Sequence, residues 1–247
     1  MTQAQQPHIV TREWVIGGRR REYRLRRSRR AKHILLHVDG AGAIEVVVPW
    51  RVSYQQGERF VREKEPWLSD RLQRVAQKKK QLPTWQVVDG ATLPFFGGSV
   101  RLRLTIDRTR KRTTTARRGG VLLVKTASRV KAQAAVRKWY INESQDYFWG
   151  QAMAYALQLG VRVDEVVVRD TKSQWGSCHK GRRALCFQWK LALAPVEIAR
   201  YVVAHEVAHL KRADHSAAFW RQVMVLDPDY AQHQAWLKEY GAVLDFH

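Results

Sequence analysis

The sequence of 247 residues predicts an α+β fold, with a β-rich N-terminal region that contains one helix and a more helical C-terminal region. Short runs rich in β-branched residues, separated by glycine turns, are typical of strands and fill much of the first half. Longer segments with apolar residues at helical spacing dominate the second half. We therefore predict a β-rich domain over residues 1–126 and a second domain over residues 127–247.

The first region is predicted to contain strands. Residues 34–38 and 44–48 flank the segment Asp-Gly-Ala-Gly, which is a hairpin signal. Before them, residues 19–32 place arginines around Tyr23 and Leu25, which predicts an edge strand with one basic face. Two interpretations of that face stay open: a phosphate-binding surface, or a solvated edge whose charge opposes aggregation.

One helix is predicted over residues 53–81, where apolar residues recur at helical spacing and Pro66 interrupts the stripe. Short strands are predicted to follow over residues 86–88, 91–96, 100–106 and 121–124. Between the last two strands, residues 107–120 are predicted to form a basic polar loop. That loop is the second candidate for contact with phosphate groups.

The C-terminal region is predicted to begin with a long helix over residues 128–159, which Gly160 ends. A strand, a loop and a second strand come next, over residues 161–169, 170–178 and 184–193. Three helices complete the prediction: one with Pro195 as its first residue, one over residues 216–226, and a last one from after Pro228 to about residue 244.

The charge of the chain is extreme. Lysine and arginine number 44 against 22 aspartate and glutamate residues, so the formal net charge is +22 and the isoelectric point is about 10.6. Such an excess favours a polyanionic partner such as nucleic acid. A general preference for arginine in the host genome is the competing explanation. No uninterrupted apolar run reaches the roughly 18 residues of a membrane span, so no membrane contact is predicted.

The two cysteines, Cys178 and Cys186, are too few for a disulfide framework. We expect them to be buried structural thiols that face each other across two strands, rather than metal ligands or nucleophiles. The N-terminus lacks the basic flank and apolar core of a secretory signal. These observations together predict a cytoplasmic location.

The most informative stretch is His205-Glu206-Val207-Ala208-His209, which matches the motif H-E-x-x-H. Two histidines four residues apart lie on one face of a helix, so both rings can bind the same ion. Glu206 is placed to hold a water molecule beside that ion and to take its proton. Zinc accepts nitrogen ligands in a tetrahedron and leaves one position open for water, so we predict one zinc ion.

A third protein ligand is needed, and His215 is the first candidate. It is the sixth residue after His209, which is the separation found in the longer motif H-E-x-x-H-x-x-G-x-x-H. Arg212 stands where that motif has glycine, so the turn must form without a left-handed residue. Glu239 is the main rival as a ligand. Asp214 is a weaker rival, and we expect it instead to cap the helix that follows.

Further motifs accompany these residues: Ser-Gln-Trp-Gly-Ser-Cys at residues 173–178, Phe-Gln-Trp-Lys-Leu at 187–191 and His-Ser-Ala-Ala-Phe-Trp at 215–220. Together with H-E-x-x-H and with residues 29–32, 48–49 and 93–98, they resemble the YgjP-like metallopeptidase family, which is related to the SprT-like and WLM zinc proteases. The resemblance implies a zincin-like metallopeptidase domain at the C-terminus. It also implies zinc on His205, His209 and His215, with Glu206 as the catalytic base.

The predicted function is that of a zinc metallopeptidase in which Glu206 activates water at the zinc ion, acting on proteins associated with nucleic acid. The substrate is expected to lie extended along an edge strand. The candidate substrate-binding residues are Trp175, Gly176, Ser177 and Trp189. The family usually has asparagine at the position of Gln188 and arginine at that of Lys190, so we expect the substrate contacts beside the predicted strand 184–193 to differ from those of other family members.

Two other functions are compatible with the sequence, and one residue of the proposed catalytic site is not identified by it. A metal-dependent hydrolase of nucleotide phosphoanhydride bonds would use the same ion, although the sequence has no glycine-rich phosphate loop. A basic nucleic-acid-binding module with a structural zinc would normally have four protein ligands. The side chain that stabilises the oxyanion is not identified by the sequence, and the candidates are Tyr201, Tyr230, His233 and Arg221.

Overall fold

The computed structural model describes residues 9–40, 42–81, 85–171 and 174–244. Helices and strands both contribute extensively, which confirms the predicted α+β class. Contacts group the chain into two compact units. One consists of Met1–Pro83 with Tyr240–Val243, and the other of Thr84–Glu239 with Leu244–His247.

The first unit contains a four-stranded sheet and two helices. Its elements are β1 (Ile9–Ile16), β2 (Arg19–Ser28), β3 (Leu35–Val38), β4 (Ile44–Pro49), α1 (Tyr54–Glu63) and α2 (Glu65–Gln81). The strand order is β1-β2-β4-β3, and the predicted hairpin of β3 with β4 is present. The prediction that the arginine-rich strand β2 lies at an edge is wrong, because β1 and β4 pair with its two sides.

The predicted helix over residues 53–81 is in fact two helices. Lys64 caps the end of α1, and Pro66 lies in the first turn of α2, where a missing backbone N–H costs no helical hydrogen bond. Ser53 caps the start of α1. Its hydroxyl accepts a hydrogen bond from the backbone N–H of Gln56 at 3.2 Å, and the Gln56 side chain accepts one from the Ser53 backbone N–H at 3.0 Å.

Buried and exposed side chains alternate along β2, so one side of the strand faces the core of the first unit and the other faces solvent. Tyr23 and Leu25 are buried with Val61 of α1 and Leu68 of α2. Arg24, between them in sequence, points to the opposite side of the sheet and is exposed. The strand is therefore basic on the side that faces water.

The second unit contains two sheets and the longer helices. Its elements are β5 (Thr92–Phe95), β6 (Gly98–Ile106), β7 (Thr114–Arg118), β8 (Val121–Thr126), α3 (Arg129–Leu159), β9 (Glu165–Arg169), β10 (Gly176–His179), β11 (Ala184–Gln188), α4 (Val196–Lys211), α5 (Ala217–Leu226) and α6 (Tyr230–Tyr240). The sheets have the orders β5-β6-β8-β7 and β10-β11-β9. The prediction of a loop over all of residues 107–120 is wrong, because Thr114–Arg118 form strand β7. All five of its side chains are exposed, so it has no apolar alternation for sequence analysis to detect.

The sheet β5-β6-β8-β7 packs on α3 and so belongs to the second unit. The hydroxyl of Tyr140 donates a hydrogen bond to the carbonyl of Pro94, and Arg117 forms an ion pair with Glu143 at 3.0 Å. This grouping differs from the predicted boundary at residue 126, which assigned these strands to the first domain. The division into domains over residues 1–126 and 127–247 stays a prediction.

Helix α3 matches its prediction within one residue at its start. Ser128 caps it, and Gly160 ends it with a left-handed backbone, φ 63°. The strand predicted over residues 184–193 is shorter, because β11 ends at Gln188 and a 3₁₀ helix follows. Strand β10, inside the predicted loop and turn, pairs with β11 alone among the described residues and is an edge strand. None of the helices in the described residues has the length and hydropathy that spanning a bilayer requires.

Candidate metal centre

Helix α4 carries the H-E-x-x-H motif through the core of the second unit. It begins after Pro195, which is the N-cap and not the first helical residue that the sequence predicted. Most of its side chains are buried, including Val202 and Val207. At its other end, Lys211 Nζ donates a hydrogen bond to the carbonyl of Leu159 at 3.1 Å. This contact ties the last turn of α4 to the end of α3.

Three imidazole rings converge in the second unit. His205 and His209 lie one turn apart on α4, and their Nε2 atoms are 3.2 Å apart. His215 follows α4, and its Nε2 atom is also 3.2 Å from that of His205. One possible ligand atom from each ring lies within 4.8 Å of the other two. In the described part of the chain, no other three side chains of metal-binding type approach one another so closely.

Neither rival for the third ligand position belongs to this group, as far as the described residues extend. Asp214 turns to its neighbour instead, and its Oδ1 accepts a hydrogen bond from the hydroxyl of Ser216 at 2.7 Å. Glu239 lies near the end of α6. The structure therefore brings together the three histidines that the sequence selected.

The turn that carries His215 back to the helix forms without glycine. Arg212 ends α4 with an extended backbone, φ −132° and ψ 121°, and neither Ala213 nor Asp214 has a positive φ. This confirms the prediction that no left-handed residue is needed. The N-cap of α5 is Ser216, where the sequence suggested Asp214.

Aromatic side chains of α5 surround the three imidazoles. The ring of Phe219 stacks on His209 with centroids 4.4 Å apart, and its centroid is 5.0 Å from that of His205 and 4.9 Å from that of His215. Phe219 is fully buried. Trp220, which the sequence did place near the site, has its ring centroid 5.7 Å from that of His205. The contribution of Phe219 was missed, and its spacing of four residues after His215 was the available signal.

Burial favours neutral imidazoles in this cluster, and a hydrogen bond fixes the tautomer of one of them. The Nδ1 atom of His209 lies 3.0 Å from the carbonyl oxygen of Arg212. A carbonyl only accepts, so this contact places the ring proton on Nδ1 and leaves the Nε2 lone pair facing His205. Burial, followed by the neighbouring His209 and His215, lowers the pKa of His205 to about 4. Burial also lowers the pKa of His209.

The three nitrogens fit a small tetrahedral cation. Ligand atoms bound to zinc at about 2.0–2.1 Å in a tetrahedron stand roughly 3.3 Å apart. The two measured Nε2 separations of 3.2 Å agree with that value. Neutral nitrogens whose lone pairs converge at this distance repel one another unless a proton or a cation lies between them. The donor set therefore suits a metal such as zinc.

Glu206 is buried beside this cluster, with 6% of its surface exposed. Burial raises the pKa of its carboxyl group to about 8. The backbone of β10 lies against it: a Cβ atom placed on Gly176 would be 2.6 Å from Glu206 Cγ and 2.7 Å from its Oε1. Only glycine leaves room for the carboxylate at this position. The sequence selected Gly176 as a substrate contact and did not predict this role.

The four predicted substrate-binding residues separate into two groups. Trp175, Gly176 and Ser177 are partly exposed at the start of the edge strand β10. Trp189 is fully buried, and its indole N–H donates a hydrogen bond to Asp170 Oδ1 at 3.0 Å. A side chain enclosed in the core has no surface to offer a substrate, so we leave Trp189 out of the proposed substrate contacts.

The candidates for an oxyanion donor lie in different surroundings. Tyr201 is buried, burial raises the pKa of its hydroxyl to about 12, and its ring centroid is 6.1 Å from that of His205. The ring of Tyr230 stacks on Trp220, with centroids 5.1 Å apart. His233 Nδ1 lies 2.8 Å from Asp227 Oδ2. The remaining candidate, Arg221, is exposed.

The two cysteines do not face each other, contrary to expectation. The register of β10 with β11 pairs Ser177 with Cys186 and Cys178 with Leu185. Paired residues share a face and successive residues alternate, so Cys178 and Cys186 lie on opposite sides of the sheet. Both are free thiols, and burial raises the pKa of each, that of Cys178 to about 11. Protonated, half-buried thiols agree with a structural role.

One family model matches most of the chain. The family model described as "YgjP-like, metallopeptidase domain" matches residues 32–240. The fold, the histidine cluster and this match define the chain as a metallopeptidase. It belongs to the YgjP-like family, whose activity implies a metal ion and a polypeptide substrate.

A solved structure and a sequence search complete the comparison. The chain is similar to the metallopeptidase zymogen abylysin of Pyrococcus abyssi, with 20% sequence identity and a TM-score of 0.35. That similarity covers 40% of this chain and 99% of the other. No curated protein sequence matches the chain.

Proposed function

We propose that this protein is a zinc-dependent peptidase in which His205, His209 and His215 hold the ion and Glu206 activates water. The observation that carries the proposal is the convergence of three Nε2 atoms, two pairs of them 3.2 Å apart. Three protein ligands are the arrangement of catalytic zinc sites, whereas structural sites normally have four. When bound, zinc supplies Lewis acidity that polarises a peptide carbonyl and makes water more acidic.

Glu206 is the proposed general base and acid of the reaction. It follows His205 directly on α4, and the backbone of Gly176 confines its side chain. As a base it accepts a proton from the attacking water, and as an acid it delivers that proton to the leaving amine. Its enclosure excludes bulk water, so the proton is passed between fixed partners.

The edge of β10 is the proposed docking site of the polypeptide substrate. An extended peptide can add to an exposed strand edge through backbone hydrogen bonds. Among the described residues, β11 is the only strand that pairs with β10, and it occupies one edge. Trp175 and Ser177 are the proposed substrate contacts, and Gly176 lies between them against Glu206. A peptide held along this edge is brought beside the proposed base.

We also propose that the substrates are proteins associated with nucleic acid, and that the enzyme works in the cytoplasm. The net charge of +22 supports the first proposal, because polyanions attract such a surface. The small number of cysteines, two among 247 residues, supports the second proposal, because chains of oxidising compartments are more often rich in disulfides.

The test is cleavage of a casein-like polypeptide by the purified protein, with measurement of its zinc content. We expect activity that is abolished by a chelator and restored by zinc. Glu206→Gln should retain zinc and lose turnover by several orders of magnitude. Glu197→Gln, an exposed glutamate in the first turn of the same helix, is the matched control and should retain both. Full activity of Glu206→Gln would refute the proposed role of this residue.

A further inference from the structure

We propose that the outer side of the sheet β5-β6-β8-β7 binds the phosphate backbone of duplex DNA. We call this surface the basic sheet face and define it by four exposed cations: Arg101, Arg103, Arg118 and Lys125. The inference extends the proposed association with nucleic acid. It combines Arg118, which lies in the segment 107–120 that sequence analysis offered for phosphate contact, with three cations of strands β6 and β8 that sequence analysis did not select.

The strand register places the four cations on one side of the sheet. Arg101 and Arg103 alternate along β6 with the buried Val100 and Leu102. Arg101 pairs with Val121 of β8, which in turn pairs with Arg118 of β7. Paired residues share a face, so these positions form one row across three strands.

The remaining cation completes the face at its other end. Lys125 of β8 pairs with Thr105 of β6 and with Thr114 of β7. It is two positions from Leu123, which pairs with Arg103. Arg101 and Arg103 are therefore about 6.7 Å apart along β6, and Arg118 lies two strands, roughly 9.6 Å, from Arg101.

The strand register places no carboxylate on the basic sheet face, and the carboxylate of Asp89 lies at the edge of β6, where its Oδ1 accepts a hydrogen bond from the backbone N–H of Leu104 at 2.8 Å. None of the side chains that the register places on this side of the four strands is aspartate or glutamate. Among the ion pairs formed within the described residues, none involves the four cations. Their charge is therefore available to an external anion.

The sheet of the first unit provides an internal comparison. Its exposed side also carries arginines, but glutamates interrupt them. Arg26 forms an ion pair with Glu45 at 3.2 Å, and Arg20 forms one with Glu13 at 3.6 Å. Positive and negative side chains are commonly interspersed on a solvated surface, as they are on this sheet. The register places only positive charges on the basic sheet face.

The residue types on the basic sheet face favour binding of a duplex over binding of a single strand. None of the side chains that the register places on it is aromatic, so it offers no platform for stacked bases. A row of cations on a pleated surface can bind the phosphates of a duplex, and such contacts position the protein without reading base sequence. The loop between β6 and β7 adds Arg108, Lys111 and Arg112, all exposed, at the end near Lys125.

The basic sheet face and the histidine cluster belong to the same unit of the chain. Binding of DNA by this face would keep the peptidase unit among proteins that are bound to the same duplex. Affinity that rests on phosphates is independent of base sequence, which suits an enzyme whose substrates are distributed along DNA.

The test measures binding of a fluorescent 30-base-pair duplex by anisotropy between 50 and 200 mM salt. One variant combines Arg101→Gln, Arg103→Gln, Arg118→Gln and Lys125→Gln. The control variant combines Arg24→Gln, Arg30→Gln, Arg51→Gln and Arg59→Gln, four exposed arginines of the first unit. Each variant lowers the net charge from +22 by four, to +18.

We expect the first variant to lose about four phosphate contacts, each worth a slope of roughly 0.9 in the plot of log affinity against log salt. Between 50 and 200 mM salt, both proteins lose affinity. The factor by which the variant loses affinity should be about 100 times smaller than the factor for the unchanged protein. The control variant should keep nearly the full slope. Equal loss of slope in both variants, no loss in either, or tighter binding to a single strand of the same length would overturn the proposal.

The measurement is independent of peptidase activity. Binding is measured in the Glu206→Gln background, so a failure of the zinc peptidase proposal does not affect the result. Casein cleavage by the first variant made with Glu206 intact should be unchanged, because no residue of the basic sheet face belongs to the proposed zinc or substrate site. A circular dichroism spectrum and a thermal transition like those of the unchanged protein exclude misfolding.

Discussion

The backbone of Gly176 lies in direct contact with the side chain of Glu206, so close that a Cβ atom on Gly176 would be 2.9 Å or less from three Glu206 atoms. Real Cβ atoms do not approach other atoms to 2.6 Å, and either the strand or the carboxylate must move if one is added. The edge strand β10 therefore sets the position of the proposed base.

Gly176→Ala is expected to reduce kcat by about 100-fold, because a displacement of the order of 1 Å at a catalytic group costs that much. Zinc content should be unchanged, since the three imidazoles are not touched. The measurement is casein cleavage together with metal analysis. Gly181→Ala is the matched control: its Cβ would meet His179 at 3.7 Å, an ordinary contact, and it should keep full activity. If Gly176→Ala is as active as Gly181→Ala, the contact does not position Glu206.

His215→Ala is expected to lose zinc, and Glu239→Ala is expected to retain it. His215 contributes one of the three converging nitrogens, so its loss should weaken zinc binding by more than the roughly 100-fold that an outer contact costs. The readout is elemental analysis after dialysis against a competing chelator. Release of zinc by the Glu239 variant alone would transfer the third ligand position to that residue.

Phe219→Ala is expected to lower the free energy of unfolding by about 3–5 kcal/mol, as for other fully buried phenylalanines. The ring contacts all three imidazoles, so Phe219→Leu, which keeps most of the volume, should fold and yet bind zinc less tightly. Urea unfolding in the presence of a chelator isolates the effect on the core from the effect on the ion. An unchanged unfolding midpoint for Phe219→Ala in chelator would show that the ring does not support the fold.

Cys178 is expected to react slowly with iodoacetamide at pH 8. Burial, and then the Glu206 carboxylate, raises the pKa of its thiol to about 11, so about one thiol in a thousand is ionised at that pH. The reaction rate should keep rising up to about pH 11. In the unfolded chain the thiol loses its proton at lower pH, so this group makes the fold less stable as pH rises above about 9.

The measurement uses Cys186→Ser, in which Cys178 is the single thiol of the chain. Urea-unfolded protein is the reference and should react at the rate of an ordinary cysteine. A plateau of the folded-state rate near pH 9 would show that the thiol is not protected.

The histidine cluster shows how much of a site local sequence spacing can predict. The positions of His205 and His209 on one face follow from the helical repeat. The return of His215 also followed from its distance along the chain, even though Arg212 replaces the usual glycine. These relationships involve residues within ten positions of one another, where the geometry of one helix and one turn constrains the outcome.

Relationships between distant segments were not predicted. Strand β2 was expected at an edge and lies inside its sheet, and β7 was expected to be part of a loop. Trp189 was a candidate substrate-binding residue and is enclosed in the core. In each case, the local composition is compatible with both outcomes, and the pairing partner decides between them.

By itself, the sequence determined the α+β class, the metal-binding helix, the three histidines and the membership of a metallopeptidase family. The tertiary structure decided that Gly176 confines Glu206, that Phe219 encloses the imidazoles, that the cysteines lie on opposite faces and that one sheet has an uncompensated basic side. The physical reason is the range of the interactions. Backbone periodicity orders neighbours along one element, whereas strand register and packing between elements depend on residues far apart in the chain, which no local pattern specifies.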